Sequence, residues 1–170
     1  MGILSADMKR VVRQQRLGFV ATVCPDGTPN LSPKGTAAVW DDNHLVFADL
    51  ASPVTMANLR SNPALEVNIV DVFSRKGYRF KGTARIIEQE QESGLFEEIM
   101  DAFESGSRGV HQVRLPARAY VLVKVDRALP LVSPGYVPGK TERETREEWA
   151  RHWELVQQDC LELLDSESHS

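Results

Sequence analysis

Two periods of hydrophobic and polar alternation run along this chain, and the switches between them mark its elements. Leu4, Met8, Val11 and Val12 recur at helical spacing behind Ser5, a residue type that caps helix starts, so residues 5–16 are expected to form a short helix lying over the fold. Phe19 to Val23 is a run of strand formers. Cys24-Pro25-Asp26-Gly27-Thr28 then carries tight-turn chemistry, and a return strand is expected from about Pro29 to Trp40. Asp41-Asp42-Asn43 interrupts it before a third strand, His44 to Ala48, giving an antiparallel meander.

Ser52 as N-cap with Pro53 at the first helical position predicts a helix of at most about three turns, containing Met56 and Leu59 and ended by Asn62-Pro63. Ala64 to Val70 and Tyr78 to Ile87 read as two more strands. In the second, Tyr78, Phe80, Gly82, Ala84 and Ile86 alternate with Arg79, Lys81, Thr83 and Arg85, which leaves one face to water or a ligand. Leu95, Phe96, Ile99, Met100 and Phe103 form the apolar stripe of a helix that belongs against the core, and Tyr120 to Val125 is a sixth strand. The passage from Leu129 to Gly139 is rich in proline and reads as irregular. Thr141-x-x-Glu144 is a capping box opening a long C-terminal helix, along which Trp149, Trp153, Val156, Cys160 and Leu163 follow steps of four and three. That seam calls for a partner surface. The expectation is a mostly β (α+β) fold, a six-stranded antiparallel barrel with flanking helices: residues 1–137 form the barrel domain and 138–170 a helical extension of it.

Composition narrows the partners. A chain of 170 residues, 42% hydrophobic, suits one domain with a real core. A net charge of −4, with no basic block interleaved with aromatics, argues against nucleic acid. Cys24 and Cys160 match no metal-ligand spacing. Charges at Asp7, Lys9, Arg10, Arg13 and Arg16 stand where a signal peptide would be apolar, and no run approaches a membrane span, so the cytoplasm is the expected location. There is no Ser/His/Asp grouping and no distinctive carboxylate pair, which disfavours hydrolysis.

The informative local sequences are Asp26-Gly27-Thr28-Pro29-Asn30, Leu31-Ser32-Pro33-Lys34-Gly35, and Leu45-Val46-Phe47-Ala48-Asp49 running into Ser52-Pro53-Val54-Thr55-Met56-Ala57-Asn58-Leu59 and Asn62-Pro63. Each is weak alone. As an ordered set across residues 5–132 they resemble the flavin-binding split-barrel family related to pyridoxamine 5′-phosphate oxidase. The resemblance implies a homodimer with two flavin mononucleotide (FMN) sites at the subunit interface. It places Ser32, Pro33, Lys34 and Gly35 against ring and phosphate, and Ala48, Asp49, Ser52, Val54, Thr55 and Asn58 around ring edge and phosphate. Independently of the family, a phosphate is served by amides at a helix start, short hydroxyls and a cation. Ser52 and Thr55 open the small helix, and Ser32 and Lys34 share one strand face.

The chain departs from the true oxidase, whose close relatives carry a basic pair at the helix start and an arginine on the second strand, where Val54-Thr55 and Ser32 stand here. Lys34, Arg79 or an arginine of the partner chain then supplies the positive charge, and authentic pyridoxamine phosphate oxidation is not expected. Of the remaining residues, His44 reads as a turn residue, His111 as structural, Cys24 as a small strand-end residue, Trp149 and Trp153 as packing, and Tyr136 as a pocket-closing candidate. The function expected is an FMN-dependent oxidoreductase acting on a small substrate, the flavin itself moving the electrons. The alternatives are a flavin-binding carrier, store or sensor without turnover, and the same barrel holding a deazaflavin or haem.

Overall fold

A computed structural model describes residues 2–106, 116–136 and 139–167. By its internal contacts the chain divides into two compact units, residues 1–70 with 77–131, and residues 71–76 with 132–170.

The first unit is a curled antiparallel sheet. Its strands are β1 (Gly18–Val23), β2 (Pro29–Lys34), β3 (Ala38–Val39), β4 (His44–Asp49), β5 (Ala64–Asp71), β6 (Lys76–Ile87) and β7 (Ala119–Val132), in the spatial order β2-β1-β5-β6-β7-β4-β3. β2 and β3 occupy opposite edges, yet only Gly35, Thr36 and Ala37 separate them in sequence. Four Cα steps reach at most about 15 Å, so the sheet must curl until its edges meet, and a half-open barrel results. The expected strand from Pro29 to Trp40 is thus two strands: it changes sheet edge at Gly35-Thr36, giving seven strands in place of six. β7 also runs on to Val132, through Pro130 and into the passage read as irregular, and just past it the Ser133 N–H donates to the Arg75 carbonyl at 3.0 Å.

The elements on the barrel follow from which faces they bury. β4 and β7 are apolar on both sides because each separates two cores. Leu45, Phe47, Val121 and Val123 point into the barrel with Val20, Val67, Ile69 and Phe80. Val46, Ala48, Tyr120 and Leu122 point outward under α3 (Ser93–Ser105), where Phe96, Ile99 and Phe103 cover them, with the Phe103 ring stacked on Tyr120 at 5.6 Å. α1 (Ala6–Gln15) opens with a Ser5–Met8 capping box and sends Val11 and Val12 into the barrel core, as its periodicity predicts. α2 (Pro53–Ser61) follows β4 and buries Met56 and Leu59 in the same core.

The second unit is built on ion pairs. Its helix α4 (Glu142–Glu167) carries the Thr141–Glu144 capping box, in which Glu144 N–H donates to Thr141 Oγ1 at 3.2 Å and Thr141 N–H to Glu144 Oε2 at 2.7 Å. Its first turns meet the β5–β6 turn: Arg146 Nη2 donates to Asp71 Oδ2 at 2.5 Å, Lys76 Nζ to Glu142 Oε2 at 2.9 Å, and the Arg75 guanidinium lies 4.2 Å from the Trp149 ring centroid. Tyr136 donates its hydroxyl to the Ser74 carbonyl at 2.5 Å, so this ring packs on the turn.

Asp71 is the pivot of this unit, only 1% exposed. Burial alone would push its carboxyl up, but the Ser74 amide and the Arg146 guanidinium together outweigh burial and hold it below the ordinary value of 3.8. A carboxylate lowered in the folded state stabilises above its unfolded value and loses that contribution as pH falls through the folded value. The attachment of α4 is therefore expected to be intact at pH 5 and to loosen below about pH 3.8. Hydrogen exchange of the amides of residues 142–150 across this range measures it, and Arg146→Ala should bring the loosening to higher pH.

Candidate functional site

The turn that carries the chain from β2 to β3 and the corner that carries it from β4 to α2 face one another across a cavity of about 450 Å³. It is lined by Ser32, Pro33, Lys34, Gly35 and Thr36 from the first, and by Ala48, Leu50, Ala51 and Ser52 from the second. Gly35-Thr36 and Leu50-Ala51 lie beyond the paired residues of β2 and β4, so the backbone there is not taken up in the sheet. Thr36 ties the two together: the Ala48 N–H donates to Thr36 Oγ1 at 3.0 Å. It was not among the expected site residues, although its place directly after the Gly35 break was the signal for it. Leu50 and Ala51 were also missed, being apolar residues with no chemistry of their own.

Lys34 is the centre of the site. Its side chain lines the cavity while the residue is only 6% exposed, its ammonium donates to Ser32 Oγ at 2.7 Å, and it lies 5.8 Å from the Phe47 ring centroid. Burial lowers its affinity for the proton, the nearby Asp49 carboxylate partly opposes this, and the net direction is down. Asp49, itself buried, organises the opposite wall by accepting from both the Ser52 amide, at 3.0 Å, and the Ser52 hydroxyl, at 2.6 Å.

This changes what the two serines do. Ser52 stands at the N-cap position of α2 with Pro53 behind it, as expected, but its hydroxyl makes no cap bond and instead donates to Asp49. Ser32 is the reverse case. It accepts from Lys34, which leaves its own O–H to donate to a ligand. The anion-directed groups at the cavity are thus the Lys34 ammonium and the Ser32 hydroxyl.

Four expected site residues are not brought to this wall. Thr55 is buried and meets Asn30, whose Nδ2 donates to its hydroxyl at 3.3 Å. Asn58 is also buried and reaches under β1, donating to Thr22 Oγ1 at 3.0 Å. Val54 is exposed on α2. Arg79 makes a bidentate pair with Glu66, at 2.6 and 2.9 Å, on the outer side of β5 and β6. His111 lies outside the described residues. Asn58→Ala is accordingly expected to cost about 1–2 kcal/mol, measured by urea denaturation, because Thr22 loses a buried partner. FMN affinity should be unaffected by it.

Among the described residues, no group of three or more His, Cys, Asp or Glu side chains is arranged for a metal, and no helix is long and apolar enough to cross a membrane. A sequence model of the pyridoxamine 5′-phosphate oxidase family matches residues 4–130, which hold β1 to β6, most of β7 and both cavity walls. The chain belongs to that family. No curated protein matches it in sequence. Solved structures agree with the family assignment. HupZ of Group A Streptococcus is 31% identical, with a TM-score of 0.60 over 76% of this chain and 94% of that one. An FMN-binding protein of Syntrophomonas wolfei, 15% identical, shares the fold at a TM-score of 0.58 over 75% of this chain and 88% of its own. An F420 reductase, 20% identical, shares it at 0.53 over 74% and 98%. As a pyridoxamine 5′-phosphate oxidase family member, the chain places its second-strand segment and its β4–α2 corner around one cavity, with α4 beyond the matched region.

Proposed function

We propose that this protein binds FMN in the Lys34 cavity and uses it for electron or hydride transfer on a small substrate, working as a homodimer with its two sites at the subunit interface. The observation that carries the reading is the buried Lys34 ammonium, with the Ser32 hydroxyl beside it, in a cavity of about 450 Å³. That size is at the lower end for a small-molecule site, which suits a pocket completed by a second chain. The donor set fits a phosphate: one desolvated cation, one hydroxyl with its proton to give, and backbone amides where β2 and β4 stop pairing. Pro33, Ala48, Leu50 and Ala51 offer a flat ring apolar side chains to lie against.

When bound, the flavin would accept and return the electrons. The chain's own part is binding and orientation. Lys34 and Ser32 would hold the anionic end, Thr36 keeps the two walls in register, and Asp49 locks the Ser52 corner. Among the described residues lining this cavity Lys34 is the one cation, so no second cluster stands there to receive a second phosphate. This argues against pyridoxamine 5′-phosphate as substrate. The F420 reductase fold neighbour makes a deazaflavin the second reading, since that cofactor would place a similar ring and phosphate against the same groups.

The test is spectroscopic. The purified protein should carry or take up FMN with flavin absorbance bands, be bleached by a reduced nicotinamide and regain colour with an added acceptor. Uptake of F420 with no uptake of FMN would select the second reading, yellow protein inert to every donor would make it a carrier, and binding of neither would reject the site.

A further inference from the structure

The barrel and the C-terminal helix each present an apolar surface to water, and their charges are opposite. On the barrel, β1 and β2 pair so that Ala21 faces Leu31 and Phe19 faces Pro33, and this outward face leaves Leu31 62% and Phe19 42% exposed. Next to it in the sheet, Glu66 of β5, opposite Ala21, is met by both Arg79 and Lys81 of β6, so the apolar face is bordered by two cations and one acid. On α4, Trp153, Cys160 and Leu164 recur on one side of the helix and are all exposed, Trp153 by 40% and Leu164 by 62%.

The charges are divided in the same way. Residues 141–170 contain nine of the 24 acidic residues and three of the 20 basic ones, so this segment carries −6 while residues 1–140 carry +2. Beyond Arg151 the segment has five acids and no Lys or Arg. Two such helices laid against each other in parallel would bring acid against acid. A helix with an apolar stripe and acidic flanks instead matches a sheet face with an apolar centre and a basic border.

We propose that in the homodimer the distal half of α4 of one copy, residues 152–164, docks across the outer β1–β2 face of the other copy, so that each chain covers the exposed surface of its partner. The inference rests on the homodimer reading above. It explains why a helix with so little packing of its own beyond Arg151 is retained: tertiary burial of one face supplies most of a helix's stability.

Hydrogen exchange of the full-length protein, with the mass in solution followed by light scattering, tests it. At concentrations where the protein is dimeric, amides of residues 152–164 should exchange at least tenfold more slowly than after dilution to monomer, and Leu31→Asp, a change at an exposed site, should abolish that protection. Protection that survives Leu31→Asp but is lost in Trp153→Asp would mean that the helix pairs with its own copy, and overturns the docking. Protection independent of dilution would place the contact within one chain and overturns the docking as well. A dimer in which these amides are unprotected removes the docking and leaves the homodimer standing. A protein monomeric at every concentration removes both.

Discussion

Replacing Lys34 with methionine is expected to weaken FMN binding by about 10- to 100-fold, the factor that corresponds to losing a charge-assisted hydrogen bond of about 1.5–3 kcal/mol. The same substitution should leave the stability of the flavin-free protein within about 1 kcal/mol of the original. The two halves of this expectation have one cause. Lys34 is 6% exposed, and its proton affinity is lowered by burial, so the folded chain holds the ammonium at a cost. Methionine removes that cost and fills the same space, at the expense of the attraction to Asp49 and the bond to Ser32. A lysine whose folded value is lowered destabilises its protein while charged, and a bound anion reverses this by supplying the missing countercharge. FMN affinity should therefore also fall as pH rises towards the range where Lys34 deprotonates, below the 10.5 of an ordinary lysine. Fluorescence titration of FMN against the two proteins, with urea denaturation of each without flavin, measures both quantities. Equal affinities would move the phosphate to another part of the chain, and a large loss of stability would make Lys34 a structural residue.

That Lys34 stood out in the sequence at all reflects where it lies. Strand alternation puts Ser32 and Lys34 on one face, Gly35 breaks the strand, and Ser52-Pro53 marks a helix start; each is a local signal, and together they pointed to Ser32, Lys34 and Gly35 on one wall of the cavity and to Ser52 on the other. Residues whose partners lie far along the chain could not be read in this way. Arg79 was an open cation in the sequence, but Glu66, thirteen residues earlier, claims it across the β5–β6 pair. Thr55 and Asn58 have the chemistry of a phosphate site and the geometry of a core, because Asn30 and Thr22 meet them from the β1–β2 hairpin. The Ser52 cap failed for a similar reason, Asp49 being three residues away but turned towards it by the corner. Periodicity placed the helices and most strands. It did not reveal that one apparent strand crosses from one sheet edge to the other, since the apolar run Ala37-Ala38-Val39 after Gly35 reads simply as a continuing, more buried strand.

That crossing sets what the fold must protect. The sheet order places β2, β1, β5 and β6 on one side and β7, β4 and β3 on the other, so the two walls of the cavity belong to opposite halves of the sheet. Within the sheet itself the halves meet along the β6–β7 pairing and at the Gly35-Thr36 turn, while the shared core and α2 pack against both. Lys34 and Ser32 stand on one half, and Asp49 and Ser52 on the other. Any change that spreads β6 from β7 therefore acts on the cavity as well as on the core.

Gly82→Ala is such a change, and it is expected to cost about 3 kcal/mol, a lowering of the melting temperature by about 6–12 °C. A Cβ at position 82 would lie 2.1 Å from the Lys124 carbonyl oxygen and 3.0 Å from its carbonyl carbon, with Val123 Cγ1 at 3.3 Å. Side chains yield to such an intrusion, but here the obstacle is the backbone of β7. Lys124 is held from its other side as well, paired with His44 of β4, and Val123 is fully buried in the barrel core. The strand cannot retreat without breaking β4 pairing or opening a void under Phe80, so the methyl must push β6 and β7 apart. The neighbouring Thr83→Ala serves as the control: its exposed hydroxyl bonds only Asp126 at 3.2 Å, and its loss should change stability by less than about 0.5 kcal/mol. If the seam also sets the distance between the cavity walls, Gly82→Ala will lower FMN affinity at temperatures where the chain is still folded, while Asn58→Ala, which destabilises without touching the seam, will not. A Gly82→Ala protein as stable as the original would show that β7 can give way at Lys124 and that this seam does not fix the spacing of the two halves.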